Sequence, residues 1–483
     1  MSPESGRVYV DISSLARWTG PSAGIARVER QLALWARNNL DRAEFVIFDP
    51  VNRSYRAVKE GWLDAILGGD AVVNFWGLPD AVRLKVRHSD RIPALIRPLM
   101  MWVLQVRRSL LYSLERIRLS SPRIQFVKAA QKLQGALMSE KYRRLMTHDQ
   151  WYRRAFVPFD MAAGEVVEMR PLDILVCAGS AWLHSDIEEI RKLKVRHGFK
   201  LAILCFDIIP LMFPKFFRTH DVEAFRRHYH VAFPTADIVV FSARQIEKDA
   251  LAYCAARGLA IGETCVVPLG ADAVAQMGKN GSPLPARLEG GRFALFVSTI
   301  EPRKGHRLLY EVWLRLLAEG VPQKAGFRLV FVGRSGWLVD DLMRLLRRDA
   351  RIAGSLILLP YVEDRELKAL YEGAAFCLYP SLYEGYGLPI IEAFFHGKAV
   401  LASTGGAIPE VIGEFSPCLD PADPEAWYRM MKQWILEPGA RYPYEEAIRK
   451  RFRHPSWHEA AARFFKEILA YMKVTHERQT GRD

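Results

Sequence analysis

Short apolar, β-branched runs alternate with longer helical patterns along almost the whole chain, and no feature constrains its fold more. Arg7–Ser13 reads as a strand and Gly24–Asn38 as the amphipathic helix after it. Further strand candidates are Phe45–Phe48, Ile174–Ala178, Leu201–Phe206, Ile238–Phe241 and Cys265–Pro268. After Gly290 the rhythm restarts with Phe293–Ser298, Leu329–Val332, Leu356–Leu359, Ala375–Tyr379 and Ala399–Ala402. Nearly continuous apolar strands alternating with helices imply parallel sheets covered on both faces. Between the two series lies Gly270–Gly291, rich in Gly, Ala and Pro and lacking an apolar period. That is the composition of a linker. The expected fold class is therefore α/β, with two doubly wound domains, 1–275 and 276–455, facing a cleft. In such sheets ligands bind beyond the carboxyl ends of the strands. Residues 456–483 read as an amphipathic helix crossing back to the first domain, with Ala460, Phe464, Ile468 and Met472 at helical spacing and His476–Asp483 as a loose tail.

Residues 80–170 break the rhythm and read as a basic helical insertion in the first domain. Between Ala81 and Arg154, 17 Lys and Arg stand against four acids, which is +13 of the net +14 of the chain. The basicity is local, so it marks an anionic surface met by that segment. Leu99, Val103, Val106, Leu110, Leu114 and Ile117 form one helical stripe there. A basic amphipathic helix suits an anionic membrane face, and the same stripe equally suits packing on the first domain. No nucleic-acid recognition module is visible. The longest apolar runs, such as Leu99–Leu104 and Ala202–Phe206, fall short of the roughly 20 residues of a spanning helix. The start of the chain enters a strand without the regions of a secretory signal. None of the six cysteines falls in a CxxC pair. These features lead us to expect a cytoplasmic protein with reduced core thiols.

The segment richest in chemistry is Tyr379–Gly406, YPSLYEGYGLPIIEAFFHGKAVLASTGG. A strand ends at Pro380, and the turn Glu384-Gly385-Tyr386-Gly387 leads into Leu388-Pro389. Proline suits the first turn of a helix, here expected to run to His396 with Gly397 as its stop. Strand, glycine turn and helix N-terminus make an anion site. Glu384 and Glu392 flank it, and a carboxylate beside a phosphate is useful there if it binds hydroxyl groups. A nucleotide sugar fits better than a free anion. A plain tight βα turn with solvated acids remains the competing reading. A second motif, Glu301-Pro302-Arg303-Lys304-Gly305, sets two cations at a strand's carboxyl end, where Arg offers a bidentate fork and Lys a compact charge. No Asp-x-Asp or His/Cys cluster suggests a metal.

The segment closely resembles the Glu-x7-Glu signature of retaining glycosyltransferases of family 4, which have the GT-B fold of two Rossmann-like domains. The likeness extends through Leu295–Gly305, Leu329–Trp337, Tyr361–Ala374 and Ala399–Gly413. It implies that Arg303 and Lys304 bind the donor diphosphate, that Glu384 meets the sugar hydroxyls, and that Glu392 meets the ribose. It implies that Gly385, Tyr386, Gly387 and Leu388 support the donor, that Thr404 and Gly405 line its pocket, and that the backbone at Val362 meets the base. In the first domain, Gly24 and Ile25 resemble the family's phosphate- and acceptor-facing loop. Where many members carry His-Asp, this chain has Phe206-Asp207, so only Asp207 keeps a candidate role, toward a sugar hydroxyl or an acceptor proton. Asp207 equally suits a turn cap.

The resemblance implies transfer with retention, no cofactor and no metal. Its DISSL and FDIIP variants look like those of polysaccharide mannosyl- or rhamnosyltransferases. GDP-mannose is the favoured donor, with dTDP-rhamnose second, and the acceptor is a bacterial glycan or lipid-linked glycan. Two rival readings are an epimerase of the same fold and a non-catalytic basic scaffold binding membrane or nucleic acid.

Overall fold

The computed structural model describes residues 6–19, 24–74, 106, 110, 113–114, 155–271, 284–285, 288 and 290–480. Most of the basic stretch 81–154, and most of the expected linker, lie outside the described residues. By compactness the chain divides into one unit of Met1–Ile203 with Met472–Asp483, and another of Leu204–Tyr471.

The first sheet is built from β1 (Val8–Asp11), β2 (Ala43–Asp49), β3 (Ser54–Val58), β6 (Ala163–Val166), β7 (Ile174–Cys177), β8 (Lys200–Cys205), β9 (Ile238–Phe241) and β10 (Glu263–Val266). Its order is β10-β9-β8-β7-β1-β2-β3-β6. β4 (Ala71–Asn74) and β5 (Ala155–Pro158) form a separate parallel pair. The core strands pair in parallel, but β3 runs antiparallel to both β2 and β6. The expectation of wholly parallel sheets therefore fails at this edge. So does the helical reading of residues 155–166, where one helical turn, Phe159–Ala162, joins two strands.

The second sheet comprises β11 (Arg292–Val297), β12 (Phe327–Val332), β13 (Leu356–Leu359), β14 (Phe376–Tyr379), β15 (Val400–Ser403) and β16 (Cys418–Leu419). Its order is β13-β12-β11-β14-β15-β16, with every pair parallel. Phe293, Ala294, Leu295 and Phe296 are consecutive and all buried, as a strand covered on both faces requires. Helix His306–Ala318 turns Leu309, Val312, Trp313 and Leu316 inward at helical spacing, and Pro424–Leu436 does the same with Trp427, Met431 and Trp434. The last helix runs Trp457–Thr480, so residues 476–480 continue it where a loose tail was expected. Among the described residues, no helix is long and apolar enough to cross a membrane, and all six cysteines are free.

In the first unit, the carboxyl ends of β1 and β7 carry a buried polar knot. Asp11 accepts from the Tyr55 hydroxyl at 2.8 Å, from Ser185 Oγ at 3.1 Å and from the Ser13 amide at 2.8 Å. Beside it, Glu29 accepts from Ser14 Oγ and from the Leu15 amide at 3.2 Å. Burial pushes the Glu29 carboxyl up to about 8. The folded chain therefore holds a proton that the unfolded chain releases above an ordinary value of 4.5. Stability from this site is complete below that value and is lost as pH rises toward about 8. Melting temperature should fall across this window in the wild type, and less in Glu29→Gln. Parallel melting curves for the two proteins from acid to alkaline pH would contradict the assignment.

Candidate functional site

The second sheet grows outward from β11 on one side and from β14 on the other. Its topological switch point lies between these neighbours, where open α/β sheets place their ligands. The loop after β11 makes a single 3-10 turn, Pro302–Lys304, and closes on Gly305 with φ 80°, from which helix His306–Ala318 starts. A Cβ at Gly305 would stand 2.4 Å from the Pro380 carbonyl oxygen, so glycine alone permits both the left-handed turn and the close approach to the end of β14. The two loops are also joined by the Leu382 amide, which donates to the Arg303 carbonyl at 2.7 Å.

This geometry brings the sequence motifs together. Arg303 Nη1 donates to Glu384 Oε2 at 2.9 Å and to the Tyr383 carbonyl at 2.8 Å. Lys304 Nζ donates to the other oxygen of Glu384 at 2.6 Å. Arg303 Nη2 lies 3.0 Å from Glu301, whose carboxylate is also 4.0 Å from Lys304. Burial pushes the Glu384 carboxyl up, but the charges of Arg303 and Lys304 overcome this and hold it down to about 2. Burial works to lower the Arg303 pKa, and the carboxylates of Glu384, Glu301 and Asp207 more than reverse it. For Asp207 and Glu301, burial outweighs the pull of both cations, and both carboxyls rise. Asp207 follows β8 and caps the next turn, accepting from the Ile209 amide at 3.0 Å. The capping reading of Asp207 thus holds, and the same carboxylate also belongs to the charge cluster.

The glycine turn is packed too tightly for side chains. A Cβ at Gly385 would stand 2.5 Å from the Phe206 carbonyl oxygen and 2.9 Å from Asp207 Cβ. Gly387, at φ 111°, caps helix Leu388–Phe395, with Pro389 in its first turn as expected. Tyr386 is anchored from behind: its hydroxyl is 2.9 Å from His454 Nε2 and 3.3 Å from the Leu269 carbonyl. Glu392 is buried and accepts from the Tyr371 hydroxyl at 2.9 Å. Tyr379 faces Glu384 and also feels the charge of Glu392. Burial first, then the charge of Glu384, with Glu392 as a lesser contributor, push its hydroxyl upward.

Thr404 is exposed, and its amide donates to the Leu419 carbonyl at 3.0 Å. Gly405 and Gly406 follow, and Gly406 pairs with the backbone of Glu384, whose carbonyl accepts from the Ala407 amide at 3.0 Å. Val362 is half-buried against the core of this sheet. Gly24, at φ 53°, and Ile25 start helix Ile25–Asn39 in the first unit, after β1. The charge cluster therefore gathers Arg303, Lys304, Glu384 and Asp207, with Gly385 and Gly406 against its backbone. Sequence reasoning gave no role to Glu301, Tyr371, Tyr379 or His454. For Glu301 a signal was present in its place two residues before Arg303.

Residues 285–451 match the family model for glycosyl transferases group 1. These residues are a glycosyltransferase group 1 domain. Among curated proteins, the chain is 39% identical over 134 residues to O-antigen chain mannosyltransferase B of Escherichia coli, covering 28% of this chain and 34% of that protein. It is 25% identical over 322 residues to the serotype-specific mannosyltransferase WbdA of Escherichia coli, covering 63% of this chain and 38% of that protein. The chain thus spans about a third of the length of these relatives. Anabaena Alr3699/HepE, solved in complex with UDP and glucose, aligns over 97% of this chain and 100% of its own with a TM-score of 0.53 at 12% identity. That likeness concerns the fold alone. The fold is GT-B, mixed α/β with parallel sheets, as the sequence led us to expect.

Removing one partner from a buried ion cluster strands the others. Glu384→Gln should destabilise the protein by about 3–5 kcal/mol, seen as a lower urea midpoint. The Glu384 contribution is complete above an ordinary 4.5 and disappears as pH falls through about 2, so the gap between the two proteins should close only in strong acid. Gly385→Ala should cost about 1–3 kcal/mol by overpacking. An unchanged midpoint in either variant would contradict the geometry.

Proposed function

We propose that this chain is a retaining glycosyltransferase of family 4 that moves a mannosyl group from GDP-mannose to a growing bacterial polysaccharide or lipid-linked glycan. The observation that carries the reading is the pair Arg303 and Lys304, fixed on the switch-point loop of a glycosyltransferase group 1 domain and converging on Glu384. The similarity to mannosyltransferases supports mannose. Arg303 and Lys304 hold the donor diphosphate and stabilise the charge that grows on it as the bond to the sugar breaks. Two fixed cations supply that charge without calling for a metal ion. The Gly385–Gly387 turn and the N-terminus of helix Leu388–Phe395 add backbone N–H groups and a favourable dipole.

Glu384 orients the sugar hydroxyls, and Glu392 the ribose. Tyr386, Leu388, Val362, Thr404 and Gly405 complete the donor side. Asp207 orients a hydroxyl near the reacting carbon. With no nucleophile assigned, the acceptor attacks from the face that the diphosphate leaves, and the leaving phosphate takes its proton. The protein works in the cytoplasm, and its basic stretch 81–154 either meets the anionic inner face of the membrane or packs on the first domain.

A thermal-shift panel of nucleotides and nucleotide sugars tests the donor, because a ligand bound only by the folded state raises the melting temperature. GDP and GDP-mannose should raise it, and Arg303→Ala should abolish the rise. Transfer to a mannan-type acceptor should fall by about 10²–10³ in kcat in that variant, and NMR of the product should show a retained anomeric configuration. A shift with dTDP-rhamnose alone would redirect the reading to rhamnose, and an inverted product would end the retaining mechanism.

A further inference from the structure

Acids outnumber cations at the switch point. Arg303 and Lys304 stand against the carboxylates of Glu301, Glu384 and Asp207. The three acids are not equally supported. Glu384 faces the Tyr379 hydroxyl besides both cations, and Asp207 accepts from the Ile209 amide at 3.0 Å. Glu301 is 3% exposed. Among the described residues its carboxylate meets only Arg303, at 3.0 Å, and Lys304, at 4.0 Å. The guanidinium also retains an unused donor, because Arg303 Nε is buried without a hydrogen-bond partner among the described residues.

A sugar nucleotide brings a diphosphate with two negative charges to a cluster whose cations are already claimed. The Arg303 Nη and Lys304 Nζ hydrogens that now face Glu301 and Glu384 are withdrawn from a carboxylate when they turn toward phosphate. The carboxylate with no other support is then left dry and uncompensated, and such a group takes a proton. We propose that a donor diphosphate enters this site together with one proton, which Glu301 accepts. Glu301 is thus a positioning residue that holds Arg303 before the donor binds and gives it up by becoming neutral. The inference rests on the diphosphate-binding reading given above.

The groups facing Glu301 are consistent with this role. Arg303 and Lys304 face it from its own loop, Glu384 from the turn after β14, and Asp207 from the end of β8, while the loop after β12 packs on its Cβ through Gly336. Burial raises its carboxyl, the two cations pull against that, and the two acids add to the rise. A diphosphate that engages both cations removes the opposing pull, so proton affinity increases on binding. By linkage, donor affinity weakens as pH rises, by up to about tenfold per pH unit.

The test is calorimetric titration of the wild-type protein with GDP-mannose, dTDP-rhamnose and UDP-glucose. Their diphosphates are diesters and do not titrate near neutrality. Runs in phosphate and in Tris, whose ionisation heats differ, count the protons exchanged. We expect uptake approaching one proton per donor at about pH 8, and a Kd that rises with pH. Glu301→Gln should bind without buffer-dependent heat and with a flat Kd, Glu301→Asp should restore the slope, and Asp207→Asn should keep the uptake. Wild-type heat independent of buffer, with a flat Kd, would overturn the inference whether or not any variant folds. Uptake that survives Glu301→Gln but vanishes in Asp207→Asn would overturn the assignment to Glu301. Failure of every sugar nucleotide to bind would overturn the proposed function, and this inference with it.

Discussion

One carboxylate shared between two cations organises the switch point of the second sheet. Glu384 reaches Arg303 and Lys304 across the gap between two loops, and each loop would otherwise bury an unmatched charge. The surrounding backbone is fitted to that contact. Gly305 lets the first loop lie against Pro380, Gly385 lets the second lie against Phe206, and Gly406 lets a third pair with Glu384 itself. A side chain at any of these positions would hold the loops apart and lengthen the ion pairs.

The same arrangement bears on how an anionic substrate is received. Arg303 and Lys304 already face acids of the protein, so on the proposed reading a diphosphate competes with internal carboxylates and does not meet bare positive charge. Binding strength then depends on how readily those acids can be neutralised or moved. Low exposure of both Glu301 and Glu384 raises the electrostatic cost of leaving either unmatched.

Much of this architecture is legible in the sequence because it is local. A buried parallel strand is a continuous apolar run, so Ile238–Phe241 and Leu356–Leu359 are read to the residue. The strand Ser54–Val58 is not, because it carries partly exposed polar residues beside an antiparallel edge and has no continuous apolar run. The motif around Arg303 and the glycine turn after Glu384 are legible one at a time for the same reason. Their contact is not, since about 80 residues separate the partners and sheet order alone makes them neighbours. The signature acids were read as groups that seek hydroxyls, and the structure adds that Glu384 already has two ionic partners. The role of Glu301 stayed hidden because an acid beside two basic residues reads as an ordinary exposed pair until its burial is known.

The bond between Tyr386 and His454 ties the glycine turn to a segment that lies after the second sheet is complete. The imidazole is held on both sides, with Nδ1 3.1 Å from the Pro455 carbonyl and Nε2 2.9 Å from the phenol oxygen. A few residues beyond the final sheet helix thus act as a rear bolt for the turn. The chain must be synthesised past Pro455 before that turn is secured, so a nascent chain that has already formed every strand of the second sheet still lacks a fastened glycine turn.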